Sequence, residues 1–190
     1  NLVSVDKQEY QKMSFITENY PGVTSVVSEV TNGFNLNHSM LRIKDPRVSL
    51  DFYTRIMGMA VLRRLDFPEM KFSLYFLAKP EKNNPPPEEV GERTEWTFSQ
   101  KSILELTHNW GTETQEDFKY HDGNAQPQGF GHICFSVPDL DKAVQWFDDN
   151  QVTYVKRPDQ EKMKDVAFIK DPDGYWIEIV QPSRLRNLGR

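Results

Sequence analysis

Hydrophobic and polar positions along this chain follow one rhythm, and the rhythm occurs twice. The first pass begins near Phe34. SMLRIK reads as a strand, and Asp45-Pro46 then supplies an N-cap and a first helical residue. Val48, Phe52 and Ile56 recur every four positions, which predicts one buried helical face, and Gly58 is placed to stop the helix. Val61 to Leu65 reads as a strand. From Lys71 to Lys79, Phe72, Leu74 and Phe76 alternate with Ser73, Tyr75 and Leu77, the period of a half-buried strand. Glu81 to Arg93 holds three consecutive prolines and many charges, and reads as an exposed loop. WTFSQ and SILELTH are then predicted to close the repeat as strands.

The second pass is shorter. HICFSV is a strand, Asp139 a cap, and DLDKAVQWFDDN a helix with Ala143, Val144 and Phe147 inward. VTYVKR is a strand. VAFIK and YWIEIV flank Asp171-Pro172-Asp173-Gly174, which is turn chemistry for a hairpin. Asn109 to Gly131, rich in Gly, Asn, Gln and Asp, links the two passes. The prediction is an α+β chain of two βαβββ modules whose mixed sheets curl around a shared cleft. An N-terminal arm (1–33) would carry a short helix from about Asp6 to Thr17. The first module would span 34–108 with its proline-rich loop at 81–93, the linker 109–131, the second module 132–182 and a tail 183–190.

Composition narrows the classes of partner. The chain of 190 residues is long enough for one domain or two small fused modules. A net charge of −5 offers no basic field for nucleic acid and no polybasic patch for a membrane. No apolar run approaches the roughly 18–20 residues of a membrane span. The N-terminal residues lack the order of a signal peptide. Cys134 is the only cysteine and cannot form an intramolecular disulfide, so a reducing, cytoplasmic setting is expected.

The chemistry lies where the two passes match. His38 opens one strand and His132 the other, each followed seven residues later by Asp45 or Asp139. Glu105 sits mid-strand in ILELT and Glu178 mid-strand in WIEIV, each pointing away from its apolar neighbours. A glutamate facing a cleft from such a strand is costly unless paired or bound to metal. A lone strand glutamate usually faces solvent, and a lone histidine at a strand start is usually structural. His108, at a strand end, and His121, in a loop, are read that way. The matching placement singles out the other four as one polar site, with donors suited to zinc, nickel, cobalt, iron or manganese.

MLRIKDPRVSLDFYTRIMGM, LDFPEMKFSLYFLA, LELTHNWGTE, GFGHI and KDPDGYWIEI together resemble the glyoxalase I family, lactoylglutathione lyases of the vicinal-oxygen-chelate superfamily. The resemblance covers roughly residues 34–182. It implies that His38, Glu105, His132 and Glu178 are metal ligands. The first of these positions is glutamine in animal and plant members and histidine in many microbial ones, and this chain follows the histidine pattern. Long loops and an N-terminal arm favour zinc, with nickel or cobalt next. The implied reaction converts the hemithioacetal of glutathione and methylglyoxal to S-lactoylglutathione, with Glu178 as the proton-transfer base and Glu105 as ligand and catalytic partner. Arg42, Asn109, Lys156 and Lys162 fall where the family holds glutathione. Leu65, Phe67, Met70, Leu74, Phe76 and Met163 fall where it lines the apolar pocket, and Leu74 and Phe76 serve equally well as ordinary core. Where the family usually has arginine before GFGH, this chain has Gln128. The family is a homodimer, with His38 and Glu105 of one chain meeting His132 and Glu178 of the other. Extradiol dioxygenases and antibiotic-inactivating thiol transferases on this scaffold use three ligands, and sequestration proteins should lack them. Four ligands argue against both.

Overall fold

A computed structural model describes residues 21–23, 28–160 and 163–188. The chain forms two units, 1–36 and 37–190. The described part of the first holds a 3-10 turn over Glu29–Thr31, capped where the Ser28 hydroxyl accepts the Val30 amide at 3.3 Å. The helix expected near Asp6 to Thr17 lies outside the described residues.

The second unit contains two four-stranded mixed sheets. The first module runs β1 (His38–Ile43), α1 (Pro46–Asp51), β2 (Ala60–Phe67), β3 (Phe72–Ala78), α2 (Val90–Ser99) and β4 (Ile103–Asn109). The second runs β5 (His132–Ser136), α3 (Leu140–Asp149), β6 (Tyr154–Lys156), β7 (Val166–Lys170) and β8 (Trp176–Val180). The sheet orders are β1-β4-β3-β2 and β5-β8-β7-β6. In each, the first strand lies parallel to the last and the other pairs are antiparallel. The expected α+β repeat is therefore present in topology as well as in pattern.

Local signals explain most of the elements. Asp45 caps α1 by accepting the Arg47 amide at 2.9 Å, and Asp139 caps α3 by accepting the Lys142 amide at 3.1 Å. After Asp51 the helix widens over Phe52–Ile56, with the Met57 amide reaching back five residues to the Phe52 carbonyl. Gly58, at φ +72°, ends it. The buried stripe is Ser49, Phe52, Tyr53 and Ile56, and Val48 is 51% exposed rather than inward. Phe52 and Ile56 are buried as expected, and only the first position differs, because the stripe starts with a serine that is buried with its hydroxyl bonded to Asp173.

The second correction is α2. Sequence pattern placed Glu81 to Arg93 in a loop and WTFSQ in a strand, but Val90–Ser99 is one helix. The Glu89 carboxylate caps it by accepting the Glu92 amide at 2.6 Å. Its buried residue is Thr97, whose hydroxyl donates back to the Arg93 carbonyl at 2.7 Å. A helix that turns a threonine inward and leaves Phe98 exposed imitates the alternation of a strand.

One core joins the modules. Leu41, Ile43, Leu104, Leu106, Phe52 and Tyr53 pack in the same cluster as Leu140, Phe147, Ile169, Ile177 and Ile179. Each such side chain contributes about 1.5–3 kcal/mol by leaving water. Around this core the hairpin turn of the second module grips α1. Asp173 accepts the Lys44 amide at 2.8 Å and the Ser49 hydroxyl at 3.1 Å. Asp171 accepts the Tyr53 hydroxyl at 2.8 Å.

Candidate metal centre

The faces turned away from this core carry the candidate chemistry. Alternation sends Leu41 and Ile43 of β1 into the core and His38, Met40 and Arg42 to the other face. On β4 it sends Leu104 and Leu106 inward and Glu105, Thr107 and Asn109 to the same face as His38. Register sets Arg42 beside Thr107, Thr107 beside Leu74, and Leu74 beside Leu65. One row across the sheet thus joins a cation to two apolar side chains.

Glu105 is buried, and both its oxygens are engaged. Oε2 stands 3.1 Å from His38 Nε2, and Oε1 accepts the Thr107 hydroxyl at 3.0 Å. In the second module Glu178 Oε2 stands 3.3 Å from His132 Nε2. Each histidine leans edge-on against an aromatic ring of the third strand in its module. His38 meets Phe76 at 5.8 Å, and His132 meets Phe168 at 5.3 Å. In register, those rings sit beside Glu105 and Glu178 respectively. The two pairs are one local arrangement built twice.

Among the described residues, no three His, Cys, Asp or Glu side chains gather as a group for one ion. The four expected ligands stand as two pairs, His38 with Glu105 and His132 with Glu178. Each pair offers an imidazole nitrogen and a carboxylate, donors that suit zinc, nickel or cobalt, but only half of a closed tetrahedral shell. Cys134 lies beside Glu178 in register. Burial and the neighbouring carboxylate push its thiol up to about 11, so it stays protonated and unreactive near neutral pH.

The remaining expected site residues divide. Arg42 is exposed on the candidate face. Asn109 ends β4 and donates from Nδ2 to the Tyr120 hydroxyl at 3.2 Å. The Lys156 ammonium donates to the carbonyls of Met163, Val166 and Arg157 at 2.6, 2.9 and 3.2 Å, so its three hydrogens close the loop that precedes β7. Lys162 lies outside the described residues. Leu65 and Leu74 are half-buried against Leu62, Phe76 and Ile103. Phe67 is half-buried and stacks on Phe72 at 4.7 Å. Phe76 is wholly buried in a smaller cluster with Leu62 and Ile103, on the same face as Glu105, and braces His38. Met70 and Met163 are exposed. Gln128 is exposed, in a loop held by a bond from Asn124 Nδ2 to the Gly131 carbonyl at 2.6 Å. His108 pairs with Glu113 at 2.7 Å, and His121 Nδ1 accepts the Gly123 amide at 2.9 Å, both bracing turns.

Sequence reasoning passed over Phe98 and Phe168, whose rings lie edge-on to His38 and His132, and over two polar residues that contact the ligands, Asn37 and Thr107. Asn37 Oδ1 lies 2.6 Å from His38 Nδ1. The available signals were an amide immediately before a candidate ligand and a hydroxyl two residues after one, on the same strand face.

Residues 35–179 match the family profile described as the Glyoxalase/Bleomycin resistance protein/Dioxygenase superfamily. The chain is 54% identical over 178 residues to a lactoylglutathione lyase of Pseudomonas aeruginosa, an alignment covering 94% of this chain and 99% of the relative. It is 49% identical over 150 residues to a glyoxalase I of Saccharomyces cerevisiae, covering 78% of this chain and 45% of that longer protein. Among solved structures, the trypanothione-dependent glyoxalase I of Leishmania major superposes with a TM-score of 0.58 at 29% identity, covering 80% of this chain and 89% of that one.

Proposed function

The chain belongs to the Glyoxalase/Bleomycin resistance protein/Dioxygenase superfamily, and on that premise we propose that it is a lactoylglutathione lyase. Its substrate is the hemithioacetal of methylglyoxal and glutathione, and its product is S-lactoylglutathione. The observation that carries this reading is the pair of matching His–Glu half-sites on a chain so similar to a lactoylglutathione lyase along almost its whole length.

Two imidazoles and two carboxylates, His38, Glu105, His132 and Glu178, would hold one divalent ion. We take it to be zinc, with nickel or cobalt next, because the chain has the long loops of the zinc-type enzymes. When bound, the ion supplies Lewis-acid stabilisation to negative charge on the substrate oxygens. The chain's own residues do the rest. Glu178 removes the proton from the carbon that bears sulfur and hydroxyl. It returns that proton to the neighbouring carbonyl carbon while the hydroxyl proton passes to that carbon's oxygen, so the reaction is an isomerisation with no net gain or loss of atoms. Glu178 suits this work better than Glu105, because its side chain is 20% exposed against 11%. Glu105 is also tied at its second oxygen by Thr107.

Arg42 and Asn109, with Lys156 and Lys162 from the second module, receive the carboxylates of glutathione. Lys156 reaches a substrate carboxylate only by giving up one of its three carbonyl partners. Leu65, Phe67, Met70, Leu74, Phe76 and Met163 surround the small carbon skeleton. A two-fold homodimer completes each centre by joining the His38–Glu105 pair of one copy to the His132–Glu178 pair of its partner. With a single cysteine, the protein is taken to work in the reducing cytoplasm. Among the described residues no helix is long and apolar enough to cross a membrane.

The test is metal removal followed by reconstitution, read as thioester formation from methylglyoxal and glutathione. Chelation should abolish turnover and zinc should restore it. A protein that forms no thioester with zinc, nickel or cobalt overturns the reading.

A further inference from the structure

The two half-sites repeat one another in their ligands but differ in what stands behind them. Asn37 precedes His38, and its side chain is fully engaged. Nδ2 donates to the Thr97 carbonyl at 3.1 Å and to the Gln100 carbonyl at 2.8 Å, at the C-terminal end of α2. Both amide hydrogens are thereby used. Turning the amide over would set its oxygen against two carbonyl oxygens. Oδ1 therefore faces His38 Nδ1 at 2.6 Å, and because an amide oxygen can only accept, the proton of that contact belongs to Nδ1. The backbone is held as well, since the Asn37 carbonyl accepts the Ile103 amide at 2.8 Å.

On the far side of the ring, Nε2 faces Glu105 at 3.1 Å. A ring whose proton is committed to Nδ1 presents the Nε2 lone pair, the form in which imidazole ligates a cation. Both ring nitrogens face an acceptor, and the 2.6 Å contact to Asn37 is the one too short to stand without a proton, which sets it on Nδ1. Among the described residues the second module shows no such support. Gly131 precedes His132, and β7 joins β8 through the short turn at Asp171–Gly174, where the first module inserts α2 between β3 and β4.

We propose that Asn37 is a positioning residue that fixes the tautomer of His38, and that α2, the helix inserted only in the first module, acts through it to preorganise this half of the centre. The proposal rests on reading His38 and Glu105 as ligands. It divides the labour: the braced half fixes its imidazole ligand in advance, while in the other half the more exposed Glu178 moves the proton.

The test begins with metal-free protein labelled with nitrogen-15 in histidine, at a pH where the ring is neutral. Long-range nitrogen–proton correlation should place the His38 proton on Nδ1. In Asn37→Ala the proton should shift toward Nε2. Zinc affinity, read by competition with a chelating dye, should weaken about 10–100-fold in Asn37→Ala. A wild-type ring protonated on Nε2 overturns the proposal, as does an alanine variant with unchanged tautomer and zinc affinity. If the alanine variant does not fold, the wild-type spectrum still decides. Wild-type protein that binds no zinc would sink the ligand reading, while the ring proton would still decide the role of Asn37.

Discussion

Glu105 and Glu178 are the same residue type at equivalent registers, and their surroundings separate them. Glu105 is the more buried and is tied at both oxygens. Glu178 is partly exposed, 3.3 Å from His132 and beside the Cys134 thiol. Glu178→Gln is therefore expected to lower turnover by about 10²–10⁴-fold, the usual worth of a positioned base, and turnover surviving within a fewfold would show that the base lies elsewhere. Glu105→Gln should act first on zinc affinity. A third carboxylate matters for stability. Burial pushes Asp171 up to about 7, against the Tyr53 hydroxyl and the Tyr175 and Asp173 amides that bond it, and with the Asp173 carboxylate adding to the rise. The native state thus keeps a proton that the unfolded chain releases near pH 4. The stabilisation is complete below about pH 4 and is lost as pH rises through about 7, on the order of 4 kcal/mol for a shift of about three units. Urea unfolding across this window should show the loss in wild type and not in Asp171→Asn. Equal slopes in both would mean that Asp171 is ionised throughout.

At the scale of elements, the segments that could be read from sequence are those whose signals are local. Asp45 and Asp139 cap the helices they were expected to cap, and the Asp171–Gly174 turn closes the expected hairpin. The errors have local causes too. Val48 was put inward and Ser49 ignored because a serine carries no hydrophobic signal, although its bond to Asp173 makes it a buried residue. Val90–Ser99 carries no helical stripe in the sequence because its buried residue is a self-satisfied threonine and its aromatic Phe98 lies against Phe76 while staying partly exposed. The turn of the second module is also a cap for the first. Asp173→Ala removes the acceptor of the Lys44 amide and the Ser49 hydroxyl. The expected cost is about 1–3 kcal/mol in urea unfolding, and a change below about 0.5 kcal/mol would mean that water replaces both bonds.

For the whole molecule, the separation of the ligands into two pairs is the decisive observation. In the proposed two-fold assembly, Glu105→Gln and Glu178→Gln chains damage different halves of each centre. Mixed by unfolding and refolding together, half of the dimers would pair one variant with the other, and each would keep one intact centre of two. Activity should return to about a quarter of wild type. If one chain held all four ligands, mixing would restore nothing. The sequence by itself determined the doubled βαβββ plan, the helix caps and the strand faces that carry His38, Glu105, His132 and Glu178, because period and capping act within a few residues. Only the tertiary structure decided how those ligands pair and what braces them. Asn37 meets Thr97 and Gln100 across 60 and 63 residues, and Tyr53 meets Asp171 across 118. Contacts at such separations leave no periodic trace in the chain, because they depend on which strands the folded core brings side by side.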